Sequence, residues 1–393
     1  MSLAELHIAC EDGDLDEVEE ILAISIDLRN SRNEEGQTPL YLACANGHLE
    51  IVKFLIKIYD VDIMKGDDSR TTPFWIACKN GHSEIVKYLL SVKSVKGFDV
   101  NHQNGFEETP LFMACRGGHH EVVKLLISNI DVKVNEPDVN ETTPLGKACR
   151  KGHADVVKVL LDDKRVDVNR MNIFGESPLH AARTEEVMEL LLNNRRIERN
   201  KETMEGETLL YLASGRGSSK IVKLLLNDPR VDVNQAIETY EESPFHVACK
   251  QGNIQIVKLF LQEKRVKTDQ VDFKGRTPFC IACEKGHMEV VKYILASGRE
   301  GNLNAKDKNG KTVIDVTRES ENEERIFGNE EIAQQRKKNC GMIVKLLESF
   351  KDDPSEIRKQ LRVELGLAGN FFFLMIFFFK KKKKSKIKNK KRF

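Results

Sequence analysis

The stretch Thr38-Pro39-Leu40-Tyr41-Leu42-Ala43-Cys44-Ala45-Asn46-Gly47-His48-Leu49-Glu50-Ile51-Val52-Lys53-Phe54-Leu55 reads as two short helices joined by a tight turn. Thr38 suits an N-cap, because its hydroxyl can accept from a backbone N–H that has no partner within the helix. Pro39 suits the first helical position, where its missing donor is not needed. Gly47 stops the helix, since glycine takes the positive φ of a C-terminal turn without steric cost. Ile51, Val52 and Leu55 then share one face of a second helix and give it a broad side to bury.

The same string returns along the chain. Aligned on the cap residue, the copies start at Ala4, Thr38, Thr72, Thr109, Thr143, Ser177, Thr208, Ser243, Thr277 and Thr312. The alanine-cysteine pair marks the period at Ala9-Cys10, Ala43-Cys44, Ala77-Cys78, Ala114-Cys115, Ala148-Cys149, Ala248-Cys249 and Ala282-Cys283. Its intervals are 34, 34, 37, 34, 100 and 34 residues, and the long one holds two copies without the cysteine. A period of this length means a stack of small units, each burying its apolar face against its neighbours. Gly81, Gly118, Gly152, Gly252 and Gly286 stand where Gly47 does, and His82, His119, His153 and His287 match His48. The second helix ends in a loop carrying Asp-Val-Asn, as at Asp99-Val100-Asn101 and Asp167-Val168-Asn169. Gly36, Gly175, Gly206, Gly275 and Gly310 lie two residues before the next cap, which marks a reverse turn with an unusual φ.

These residues closely resemble the ankyrin repeat. The fullest copies are Thr38-Pro39-Leu40-Tyr41-Leu42-Ala43, Ser177-Pro178-Leu179-His180-Ala181-Ala182 and Ser243-Pro244-Phe245-His246-Val247-Ala248. The resemblance covers Ala4 to about Phe350 with about ten repeats. It implies an all-α ankyrin solenoid of stacked helix-turn-helix units with projecting β-hairpin fingers. On that basis residues 1–350 form the array. The first repeat, rich in Asp and Glu, serves as its N-terminal cap, because terminal repeats need a polar outer face.

The register breaks in three places. The interval from Ser177 to Thr208 is 31 residues, with the Gly-His block missing between Arg183 and Glu186, so a tighter connection and a local kink are expected. Three extra residues before Thr109 lengthen a finger around Gly97 to Gly105. In the last unit the second helix, from Gly341, comes about eighteen residues late, and residues 319–339 are a charged insert read as a partly helical loop. Residues 351–366, opened by Asp353-Pro354 and carrying Ile357, Leu361 and Leu365, read as a closing helix.

Charge is distributed unevenly behind a formal net of +1. Eleven acids stand against two arginines from Met1 to Gly36, while Lys380 to Phe393 holds ten basic residues and no acid. The body between is neutral, so bulk charge does not point to nucleic acid. The start has no basic segment followed by an apolar run, so no secretory signal is read. Nine cysteines, seven of them at one repeat position, suit small core residues in a reducing compartment better than a disulfide framework. Residues 367–393 form a Phe/Lys tail. Three readings of it stand open: low-complexity sequence, a membrane anchor, and a basic nuclear address. The chain is therefore expected to be cytoplasmic and monomeric, with a nuclear or tail-anchored regulator as the alternative.

No catalytic residue, cofactor site or metal site is assigned. Five histidines share the Gly-His slot, and His7, His180 and His246 share a slot in the first helix, so repetition argues for inter-helix hydrogen bonding rather than catalysis. Cys280 and Cys283, with His246 and Cys249 one repeat earlier, are the one arrangement that could complete a zinc site, and each occupies an ordinary repeat slot. No phosphate loop, nucleophile elbow, kinase signature or dinucleotide fingerprint occurs. What remains is surface. Basic residues end the first helices at Lys79, Arg116, Arg150, Lys151, Arg216, Lys250 and Lys285, and the fingers carry Phe106, Glu107, Phe174, Tyr240, Glu241 and Phe273. Ankyrin resemblance implies that these two rows line a concave groove gripping an unidentified protein partner, with aromatic and arginine side chains as its anchors. Otherwise the acids and bases simply neutralise one another.

Overall fold

The computed structural model describes residues 3–58, 60–92, 98–322 and 330–367. They divide into two compact units, one up to Met204 and the other from Glu205 onward. The Phe/Lys tail, apart from Leu367, lies outside the described residues, as does part of the charged insert.

Each unit is a stack of helix hairpins. In the first, helices Pro39–Asn46 and Leu49–Lys57 form one hairpin, followed by Pro73–Asn80 with Ser83–Ser91 and Pro110–Gly117 with His120–Ile127. First helices stack on first helices and second on second. The caps are those the sequence dictates: the hydroxyls of Thr38, Thr72 and Thr109 accept from the backbone N–H of Tyr41, Trp75 and Phe112 at 3.1, 3.2 and 3.1 Å. Gly47 closes its helix at φ 87°. Leu55, Leu89 and Leu126 are buried between second helices, as are Leu225 and Leu295 in the other unit. Each such side chain contributes about 1.5–3 kcal/mol by leaving water. All nine cysteines are buried and free. Burial pushes the Cys10 thiol up to about 12 and the other repeat cysteines higher still, which leaves them protonated at neutral pH.

Glycine and histidine at the turn act as one device. His82 Nε2 donates to Ala45 O at 2.9 Å, and His119 Nε2 to Lys79 O at 2.8 Å, each reaching a helix-end carbonyl of the repeat before. In the second unit His287 Nε2 donates to Lys250 O at 3.0 Å. A Cβ built on Gly81 would stand 2.4 Å from the His119 ring, so that glycine answers both its φ of 82° and the ring lying over it.

The loops carry a second ladder. Asn101 donates to Asp131 O and accepts from Lys133 N, both at 2.8 Å, and Asn135 does the same with Arg165 O and Asp167 N one repeat later. Arginines twenty-two places after the cap reach back to helix ends: Arg165 to Ile127 O and Arg265 to Leu226 O, both at 2.5 Å. These bonds give the carbonyls left over at each second-helix terminus a charged donor.

The fingers are tighter than the hairpins expected of them. At Asn33, Asp67, Asn104, Asp138, Asn172, Asp272 and Asp307, one side-chain oxygen accepts from backbone N–H groups two and four residues on. The side chain thus does the work of a strand partner, and neighbouring fingers are joined by single bonds such as Gly105 N to Ser69 O at 2.8 Å. The turn at Asn104–Glu108 has ordinary length, so the extra residues before Thr109 lie upstream of it, around residues 93–97, which are not described.

The short repeat absorbs its deletion in the first helix, which is only Pro178–Ala181. Ala182 is extended, and Thr184 caps the second helix, Glu185–Asn193. Thr184 stands in the histidine slot, its methyl 2.8 Å from where a Cβ on Gly152 would lie. In the last repeat the first helix runs Val313–Asn322 and the second Glu330–Asp352, straight through Gly341. Of the 319–339 segment, residues 319–322 and 330–339 are therefore helical, and 323–329 are not described. Asn339 donates to Gly286 O at 3.0 Å and Arg336 to Glu284 O at 3.2 Å, the task histidine performs elsewhere. Helix Pro354–Glu364 packs on Met288–Ser297, where Arg358 and Arg362 donate to Leu295 O and Ala296 O at 3.0 and 2.8 Å. Among the described residues no helix is long and apolar enough to cross a membrane.

Candidate functional site

In the first unit, fingers and first helices enclose a cleft of about 800 Å³. Lys79, Phe106, Arg116 and Lys151, all named from sequence, line it. Glu107 sits beside Phe106 on the same turn, and Phe174 is on a later finger. Phe106 and Phe174 are 63% and 57% exposed, a costly placement for large apolar residues. Lys79 lies over the Trp75 ring at 5.8 Å. Lys151 makes no ion pair with any described residue.

Other basic helix ends are already paired. Arg116 meets Glu108 at 3.0 Å, and Arg150 meets Glu176. In the second unit Lys250 meets the buried Glu242 at 2.9 Å, and Lys285 stands 3.9 Å from Glu284. Arg216 and Lys250 line a cleft of about 290 Å³ with Tyr211 and Glu242, while Lys285 belongs to another of about 540 Å³ with Lys274, Lys311 and Arg336. Tyr240 and Phe273 are half exposed on adjacent fingers, their rings 5.8 Å apart, with Glu241 next to Tyr240. The residues singled out from sequence are thus distributed over separate clefts, not gathered at one point. In the last two fingers the charge order is swapped: Arg276 precedes the cap and pairs with Glu284, and Lys311 pairs with Glu319.

Sequence reading passed over the cleft floor. Tyr41, Trp75, Ile76 and Met113 line it with Lys147 and the acids Asp67, Glu108 and Asp138. Their signal was available: these are the third and fourth residues after each cap, one side of a short helix, and the fourth is apolar in every copy except Lys147.

His246 is enclosed: its Nδ1 accepts from Ser243 N at 3.1 Å and its Nε2 donates to Arg276 O at 3.2 Å. Among the described residues no group of three or more His, Cys, Asp or Glu is placed to hold a metal ion.

Helix hairpins stacked at a 34-residue step, with turned fingers beside them, define a repeat-array protein. The chain belongs to the ankyrin-repeat family: the family model for ankyrin repeats (three copies) matches residues 6–95, 91–172, 164–237 and 229–307. The helix pair within Val313–Asp352 lies beyond that match. Comparison with curated proteins finds no match. Ankyrin repeats as a class mediate protein–protein contacts and are as a rule non-catalytic.

Proposed function

We propose that this chain is a non-catalytic scaffold that holds partner proteins on its finger tips and on the clefts between fingers and first helices. The observation that carries this reading is the exposure of Phe106, Phe174 and Tyr240 on every second finger, with Phe106 lining the charged cleft of the first unit. Rigid turns favour such a role: the Phe106 and Phe174 tips are pinned by Asx bonds, so a partner orders few residues on arrival and loses little entropy. Exposed ion pairs such as Arg116–Glu108 exchange partners at small cost, so their presence is compatible with binding. Nine free thiols suit a reducing compartment, and the reading places the protein in the cytosol as a monomer.

The test is quantitative affinity capture with the wild type and with the triple variant Phe106→Ala, Phe174→Ala, Tyr240→Ala. Recovery of specific partners should fall at least tenfold while the far-UV circular dichroism is unchanged. Equal recovery of every captured protein would remove the finger tips from the interface.

A further inference from the structure

The fourth residue after the cap is apolar in nine copies: Ile8, Leu42, Ile76, Met113, Ala181, Leu212, Val247, Ile281 and Val316. In the tenth it is Lys147. That ammonium is largely enclosed, with 20% of its side chain exposed, and it projects into the 800 Å³ cleft of the first unit. Its surroundings leave it under-satisfied. Asp138 is 3.7 Å away, beyond hydrogen-bond reach, and the Phe112 ring lies 5.1 Å below it. It makes no hydrogen bond to any described residue. A half-buried cation without a hydrogen-bonded anion is costly to the folded chain, and an apolar residue at that position would not incur the cost. Burial accordingly lowers the Lys147 pKa, with Asp138 opposing the shift.

The residue before it strengthens the case. The slot that holds Tyr41, Trp75, Phe112 and Tyr211 elsewhere is Gly146 here. No positive φ requires a glycine there, and an added Cβ would meet nothing closer than 3.4 Å. A glycine inside a helix is less favourable than alanine, because more backbone freedom is lost on folding. At this point the helix Pro144–Lys151 thus gives up an aromatic side chain and an apolar one in succession, the second of them at the cleft itself.

Charge decides what fits. The cleft is lined by four cations, Lys79, Arg116, Lys147 and Lys151, against three carboxylates, Asp67, Glu108 and Asp138. One further negative charge balances it. We propose that Lys147 anchors the carboxylate of a single Glu or Asp in an extended segment of a partner protein, with the exposed Phe106 and Val139 side chains receiving an apolar neighbour of that residue. This assignment rests on the scaffold reading above and names the chemistry of its partner at one position. A dianionic phosphate would exceed the balance, so the site is assigned to carboxylate.

Fluorescence anisotropy of the full chain with labelled nonapeptide pools tests it. The pools fix Glu, Gln, Lys or phosphoserine at the centre and draw the flanks from apolar and small residues. The Glu pool should bind at least tenfold tighter than the Gln and Lys pools. Lys147→Met puts at this position the side chain that Met113 supplies one repeat earlier. It should bring the Glu pool down to the level of the Gln pool without lowering the thermal midpoint. A wild type that binds Glu and Gln pools equally, yet loses both in Phe106→Ala, overturns the anchor and leaves the scaffold reading standing. Retention of the tenfold preference by Lys147→Met also overturns the anchor. A phosphoserine pool tighter than the Glu pool overturns the carboxylate assignment. Failure of every pool to bind overturns the anchor, and the capture experiment with the finger variant then decides the scaffold reading by itself.

Discussion

Histidine at the third helical position is a hydrogen-bonding device whose charge state the fold fixes. His246 must keep Nδ1 free of a proton to accept from Ser243 N–H, while Nε2–H donates to Arg276 O. Burial is the main cause lowering its pKa below the ordinary value near 6.5, and the bond to Arg276 O only partly offsets it. His287 is lowered for the same first reason. A histidine held neutral binds fewer protons folded than unfolded, so stability is full above about pH 6.5 and is lost as pH falls through the window below it. Urea titrations between pH 7 and pH 5 should show the midpoint falling with acidification. The double variant His246→Gln, His287→Gln should flatten that fall. An unchanged slope in the variant would place the titrating groups elsewhere.

Among elements, the finger turn shows what a sequence can and cannot announce. The left-handed position was legible wherever glycine occupies it, as at Gly36 and Gly175 with φ of 75° and 72°. The same conformation occurs where no glycine marked it: Arg70, Glu107, Glu141 and Glu241 have φ of 63°, 60°, 56° and 52°. Local bonds hold these residues there: at Arg70, Glu107 and Glu141 an Asx oxygen takes two N–H groups of the turn, and at Glu241 backbone bonds with Ile237 close it. A non-glycine residue in that region costs roughly 1–2 kcal/mol, less the entropy a glycine would lose. Glu107→Gly should therefore stabilise the first unit by about 0.5–1 kcal/mol, read from its urea midpoint at unchanged slope. A loss of stability would mean that the Glu107 side chain makes a contact worth more than the strain. The Asx residues and the arginines of the 165 and 265 positions escaped sequence reading for a plainer reason. Asp, Asn and Arg are frequent surface residues, and only the folded structure shows that the first two serve backbone groups of their own turn and the arginines those of the repeat before.

For the molecule as a whole, periodicity carried most of the fold: the hairpins, their caps and their buried second-helix faces follow from a string repeated at one spacing. The surface was less legible. Phe106 and the basic helix ends declared themselves by residue type, but Lys147 stood inside a helix and showed its meaning only when the cleft around it closed. Stability in such an array is a sum over repeats and their nearest-neighbour contacts, so a weak repeat limits how far cooperativity travels. The repeat at Ser177 keeps only a four-residue first helix and lacks the glycine-histidine device. It lies near the end of the first unit, which closes at Met204. The chain has one tryptophan, Trp75, buried in that unit and bonded through its indole N–H to Glu108 O at 2.7 Å. Its fluorescence therefore reports the first unit, whereas far-UV circular dichroism reports the helices of both. In urea the two signals should give different midpoints, with the fluorescence change confined to a narrower range of denaturant than the dichroism. Coincident single transitions would show instead that the short repeat transmits unfolding as well as its full-length neighbours do.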